Sequence, residues 1–124
     1  DKMNHHDNRA DGELAWTSFD RCAMNFRYMW DGNRYGFEGG IKGVGLPTIR
    51  IHPTEKPVKL YQFLLENFAE KGMKILDTHL GSGNIAVACH YFGCDLVGTE
   101  IDTEYYIKAV KNYETNTTQT ILQF

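Results

Sequence analysis

Residues 76 to 84 read L-D-T-H-L-G-S-G-N, an apolar strand end followed by an acid, a histidine and a glycine-serine-glycine turn that opens a helix. Gly81 and Gly83 lack a Cβ, so the backbone there can turn sharply and lie against a ligand. The start of the next helix offers unpaired N–H groups to a carboxylate or phosphate. Asp77 stands directly before the loop, where a carboxylate repels a pyrophosphate and attracts an ammonium. Glu100 comes 17 residues after Gly83, at the end of the next expected strand, and a carboxylate there suits a ribose with free hydroxyls. A second group is H-P-T-E-K-P at residues 52 to 57. Pro53 and Pro57 stiffen the entry to a helix, which holds His52, Thr54 and Lys56 in fixed directions just upstream of its start. Both stretches also have plain structural readings. A G-S-G is a common strand-to-helix turn, Thr54 fits a helix cap, and Lys56 fits a solvated side chain.

The ligand class follows from spacing. A dinucleotide site has G-x-G-x-x-G and a phosphate-binding loop has G-x-x-x-x-G-K-S/T, and neither occurs here. A ligand with an amino-acid end and an adenosine end answers the acid, the turn and the distal carboxylate together. S-adenosylmethionine is such a molecule.

The elements that must position these residues can be read from periodicity. Leu60, Phe63, Leu64 and Phe68 recur at helical spacing, with Pro57 at the start and Gly72 past the end, so a helix is expected over 57–70. Strands are expected over 73–78 and 95–100, a short helix over 84–92 stopped at Gly93, and a last helix over 103–115 with Tyr106, Val110 and Tyr113 on one face. Strand, helix, strand, helix is a βαβα unit with parallel pairing, and it sets the loop after the first strand and the acid ending the second on one edge. Upstream, ELAWTSF (13–19) and AMNFRYMW (23–30) read as two strands. Residues 31 to 46 carry six glycines and no period, which marks a loop dividing two unlike halves, and the terminal QTILQF reads as a further strand.

Composition narrows the rest. With 124 residues, 42% apolar side chains and a formal charge of -3, the chain builds one ordered domain with no global positive field. Residues 1 to 50 hold seven basic and seven acidic side chains, so a DNA surface is not visible in the charge pattern. Cys22, Cys89 and Cys94 cannot all pair and form no C-x-x-C, which points to a reducing compartment, and a cytoplasmic location is expected. His5, His6 and Asp7 have no matching ligand pair, so no metal is expected. The opening stretch DKMNHHDNRADG has no start signal of its own, which suggests a piece of a longer protein.

HPTEKPVKLYQFLLENF, followed by KILDTHLGSGNIAVACHYFGCDLVGTEID, resembles the S-adenosylmethionine-dependent DNA amino-methyltransferases that modify adenine N6 or cytosine N4. The likeness is to phage and prophage members whose cofactor motifs lie toward the C-terminus, and AWTSFDRCAMNFRYMWDG is similar to the segment that precedes those motifs. It covers about residues 10 to 115. It implies an α/β, Rossmann-like methyltransferase fold truncated at the N-terminus: a strand pair over 1–30, a glycine-rich loop over 31–51 and a cofactor-binding βαβα part over 52–124. It also implies cofactor contacts at His52, Thr54, Lys56, Asp77, His79, Gly81, Ser82, Gly83 and Glu100, with His79 and Leu80 standing where many relatives carry Pro-Phe and a small residue. It further implies double-stranded DNA as the partner of the complete enzyme, with the base extruded for direct attack of its amine on the sulfonium methyl.

One family feature is missing. The motif that orients the base amine is Asp/Asn/Ser-Pro-Pro-aromatic, and the prolines here are Pro47, Pro53 and Pro57, with no Pro-Pro pair. No catalytic residue is therefore assigned, and the chain alone is expected to be inactive. Without the strand that bears the motif, strand 73–78 is expected to keep an open edge and to self-associate or pair with missing sequence. Two other classes stay open: a different nucleotide-binding α/β enzyme such as an NAD-dependent one, and a non-catalytic module or subunit that needs another chain.

Overall fold

The computed structural model describes residues 13–28 and 51–118. The glycine-rich loop, residues 29–30 of the second expected strand, the His5-His6-Asp7 tract and QTILQF lie outside them. In chain order the elements are α1 (Val58–Phe68), β1 (Lys74–Asp77), α2 (Asn84–Phe92), β2 (Asp95–Gly98) and α3 (Thr103–Thr117). β1 and β2 pair in parallel, from Lys74 opposite Asp95 to Asp77 opposite Gly98. With α2 as the crossover, this is the expected Rossmann-like βαβα unit, and each element falls within about two residues of its expected bounds, the ordinary disagreement at element ends.

Alternation along the strands decides where the core lies. Ile75 and Leu96 point one way, onto a cluster of Leu65 from α1 with Ala88 and Cys89 from α2. Leu76 and Val97 point the other way and are 66% and 59% exposed. The apolar face of α1 is shared: Leu65 is its buried residue, Leu64 is exposed, and Phe63 and Phe68 are covered from outside.

That cover corrects one expectation. Residues 13–28 form no strand; they run as an irregular strap along α1. Phe19 sits 5.0 Å from the Phe68 ring, Phe26 sits 5.1 Å from Phe63, and the Arg21 guanidinium lies 5.5 Å over Phe68. Of the aromatic residues that suggested strands, Phe19 and Phe26 meet rings on α1, Tyr28 stacks on Phe26 and Trp16 stays 88% exposed, so ring contacts stand where a backbone ladder was expected.

α3 begins at a well-formed cap. Asp102 accepts hydrogen bonds from the N–H groups of Glu104 (2.8 Å) and Tyr105 (3.0 Å), satisfying two of the orphan donors at the helix start. Replacing Asp102 by alanine should therefore cost about 1 kcal/mol of stability, read as a lower urea midpoint at unchanged slope. Tyr106, Val110 and Tyr113 share one face of α3, as expected, and Ala109 lies on that face with them. The residue buried on it is Ala109, while Tyr106 and Val110 stay 47% and 37% exposed. The helix approaches the turn before α2 so closely that only a methyl group fits between them.

Candidate functional site

The site lies where both strands end. Backbone bonds lace the two exits together: Thr99 N–H donates to Asp77 O (2.9 Å), Leu80 N–H donates to Thr99 O (2.9 Å), and the Thr99 hydroxyl donates to Thr78 O (3.0 Å). Glu100 then reaches back across the gap. Its Oε2 accepts from Gly81 N–H at 2.8 Å and its Oε1 accepts from Asp102 N–H at 3.1 Å. These backbone donors, Asp102 foremost and Gly81 next, hold the carboxyl below its ordinary 4.5, with His52 a smaller contribution and partial desolvation opposing. A carboxylate has about four acceptor positions, so the charged group is fixed in direction and keeps acceptor capacity for a ligand.

Across the loop, Asp77 Oδ1 accepts from His79 N–H at 2.9 Å, and its second oxygen accepts no hydrogen bond among the described residues. The His79 ring is exposed and meets the Thr78 hydroxyl at 2.9 Å.

The two loop glycines do different work. Gly81 has a φ of 56°, and a Cβ there would lie 3.7 Å from the His52 ring, an ordinary contact. Gly83 has a φ of 76°, is buried, and a Cβ on it would fall 2.9 Å from Ala109 Cβ and 3.0 Å from Ala109 O. Gly81 therefore faces the site, whereas Gly83 lets α3 dock. Ser82 is 5% exposed and turns into the protein, and its carbonyl accepts from Asn112 Nδ2 at 2.9 Å.

The H-P-T-E-K-P turn folds onto this loop through His52, whose ring packs 4.4 Å from Tyr105 in the first turn of α3. His52 Nδ1 accepts from Thr54 N–H at 3.3 Å and lies 3.1 Å from the Thr54 hydroxyl, which assigns the ring proton to Nε2 when the imidazole is neutral. Thr54 is thus no helix cap: Pro57 occupies that position without a side-chain bond. Lys56 is not simply solvated either, because its Nζ is 2.7 Å from Glu13 Oε2 on the strap.

Glu55 is a site residue that spacing alone did not mark. Its Oε2 accepts from Ile51 N–H (2.8 Å) and His52 N–H (3.4 Å), and its Oε1 accepts from Asn84 Nδ2 (3.0 Å). Tyr61 is another. Burial first, and the charges of Asp77 and Glu55 after it, push its hydroxyl up to about 12, so it stays a hydrogen-bond donor. The available signals were a polar Asn84 opening an apolar helix, and an acid inside the proline-flanked turn.

A groove of about 810 Å³ lies elsewhere, between α2, β2 and α3, lined by Leu80, Leu96, Val97, Tyr106 and Ala109 among others. Of the expected contact residues only Gly83 borders it. It is a gap between a helix and a sheet edge, whereas the charged and polar groups converge at the strand ends, which is where a ligand would be recognised. Cys22, Cys89 and Cys94 are free, and burial pushes the Cys89 thiol up to about 11, which makes it a core residue and a poor nucleophile. Among the described residues no group of His, Cys, Asp and Glu is placed to hold a metal, and no helix is long and apolar enough to cross a membrane.

Similar proteins are known for much of this chain. A putative methylase, YubD, of Escherichia coli (strain K12) is 40% identical over 57 residues, which are 46% of this chain and 25% of the relative. The type II methyltransferase M.HpaI of Haemophilus parainfluenzae is 33% identical over 54 residues, 44% of this chain and 17% of that protein. The chain thus spans a quarter or less of these relatives. A solved structure titled as the crystal structure of an M1.HpyAVI-SAM complex is 30% identical, covering 49% of this chain and 30% of that one, with a TM-score of 0.48. The family model described as DNA methylase, of the N6/N4 type, matches residues 10–111, so the chain belongs to that DNA methylase family.

Proposed function

We propose that this chain forms the S-adenosylmethionine-binding part of a DNA methyltransferase acting on an exocyclic base amine, adenine N6 in the first place and cytosine N4 as the alternative. The observation that carries the reading is the pair of carboxylates at the adjacent ends of two parallel strands, Glu100 and Asp77, on either side of the Gly81 turn. The residues fit the group. Glu100, held charged by backbone donors, would take the ribose hydroxyls, and the unshared oxygen of Asp77 would take the ammonium. Lys56, after exchanging Glu13, would take the carboxylate, and His52 and Thr54 would flank that end beside Gly81. Gly83 and the carbonyl of Ser82 would shape the loop, and the exposed His79 ring, whose Nδ1 meets the Thr78 hydroxyl, would stand beside the ligand. When bound, the cofactor supplies an electrophilic methyl group on a sulfonium.

The substrate would be double-stranded DNA in the complete enzyme, in the cytoplasm. The sequence has no Pro-Pro-aromatic triplet to orient a base amine, so the chain by itself should not turn over. Among the described residues β1 pairs only with β2, and its other edge would be closed by a second copy or by further sequence.

Calorimetric titration tests the reading. S-adenosylmethionine and S-adenosylhomocysteine should bind one site and NAD should not; preference for NAD, or no binding of the first two, would overturn it. Methyl transfer to DNA followed by mass spectrometry should show no product from this chain alone, and robust turnover would remove the inactivity claim.

A further inference from the structure

Behind the glycine loop one directed chain of hydrogen bonds runs from exposed Asn116 through half-buried Asn112 and buried Asn84 to half-buried Glu55. Asn84 Nδ2 faces two acceptors, Glu55 Oε1 at 3.0 Å and Lys56 O at 2.8 Å, so it must be the amino end of the amide. Asn84 Oδ1 then faces Asn112 Nδ2 at 2.8 Å, which also donates to Ser82 O at 2.9 Å. Asn112 Oδ1 in turn accepts from Asn116 Nδ2 at 2.8 Å. One assignment of every amide satisfies the whole set. The chain runs from α3, past the carbonyl of the glycine loop, to the Glu55 carboxylate that holds the backbone of Ile51 and His52.

Asn84 is 6% exposed, the first residue of α2, and far in sequence from the turn it grips. Burying an amide there costs free energy unless each of its groups is paired, and here each one is. A small apolar residue would fill the space without that demand. What the amide adds is direction: both its donor bonds end on the segment carrying His52, Thr54 and Lys56, and its acceptor bond ends on the helix that carries Tyr105. Together with the packing of His52 on Tyr105, this side chain therefore fixes the proline-flanked turn relative to the Gly81 loop.

We infer that Asn84 is a positioning residue for the cofactor site, acting through Glu55 to hold the His52–Lys56 turn against the glycine loop. It makes no contact with the ligand itself. The inference rests on the cofactor reading above for its functional meaning, and on the hydrogen-bond chain for its geometry.

The test reverses the polarity of the central bond. In the full chain, Asn84→Asp sets a second carboxylate against Glu55 and should weaken S-adenosylhomocysteine binding, measured by calorimetry, about tenfold or more. Glu55→Gln alone should weaken it less. In the double variant the introduced glutamine amide can donate to the introduced carboxylate, so it should bind more tightly than Asn84→Asp, a rescue that lost packing alone would not produce. Leu65→Val, which trims the core without touching the hydrogen-bond chain, should leave affinity unchanged. A second readout needs no cofactor: in NMR spectra, amide exchange at Ile51 and His52 should speed up in Asn84→Asp, the His52 ring resonance should move, and both should return in the double variant. If the unsubstituted chain binds neither cofactor form, the cofactor reading fails and NMR alone judges the relay. Should Asn84→Asp not fold, Asn112→Ala, on a half-buried face of α3, should weaken binding about threefold and shift the His52 resonance. Unchanged affinity and exchange in Asn84→Asp, a double variant no better than the single one, or a silent Asn112→Ala would each overturn the inference.

Discussion

Gly83→Ala lowers the melting temperature of the chain by about 10–20 °C, the equivalent of about 3 kcal/mol for a domain of this size. Two costs add. An L-residue at a φ of 76° pays about 1–2 kcal/mol for the left-handed conformation, and a new Cβ 2.9 Å from Ala109 Cβ adds about 1–3 kcal/mol of overpacking. Relief cannot come from a side chain alone, because Ala109 O and Cα stand at 3.0 and 3.2 Å from the same point. An added Ala109→Gly should therefore rescue only a small part of the loss. Gly81→Ala is the control: its φ of 56° carries a strain cost of the same kind, but its nearest neighbour at 3.7 Å gives no clash. It should melt well above Gly83→Ala. Thermal unfolding followed by circular dichroism separates the two, and equal melting temperatures would show that α3 does not dock on Gly83 in solution.

Glu100→Gln should weaken S-adenosylmethionine binding about tenfold or more, because it removes the charge from a hydrogen-bonding carboxylate while keeping its shape. The pH dependence carries a second signature. Backbone N–H groups, that of Asp102 first and that of Gly81 next, hold Glu100 below its ordinary 4.5 in the folded chain. A depressed carboxyl contributes its stabilisation above the unfolded value and loses it as pH falls through the lower folded value. Affinity set by the Glu100 charge should then stay level from neutral pH down past 4.5 and drop only below it, and Glu100→Gln should remove that acid limb. Calorimetry across the range checks both points. An unchanged affinity in the variant would dismiss Glu100 as a ligand for the ribose and leave it a strut between the two strand exits.

The strut is itself informative about how far a sequence can be read. Glu100 stood out because an acid at the end of the second strand of a βαβ unit lies on the binding edge whatever else the chain does. That it bonds the Gly81 amide 19 residues away follows from the register of Asp77 opposite Gly98. Register is a property of the pair of strands, and neither strand spells it out alone. The aromatic run of the strap shows the converse. Trp16, Phe19, Phe26 and Tyr28 have the composition of strands, yet Phe19 and Phe26 find rings on α1, so contact with a distant helix overrode local propensity.

What the sequence by itself determined is local. Helical spacing in 57–70, the glycines after Phe92 and Leu80, and the proline-flanked turn each act on neighbours within one or two turns of chain, so α1, β1, α2, β2 and α3 were legible within about two residues of their ends. The tertiary structure alone decided which of two similar glycines faces the site and which faces a helix. It also decided that Lys56 meets Glu13, and that Asn84, Asn112 and Glu55 join into one chain of bonds. Those outcomes depend on residues 26 to 43 positions apart meeting at distances near 3 Å, and a contact at that range is set by how whole elements pack, which no local pattern encodes.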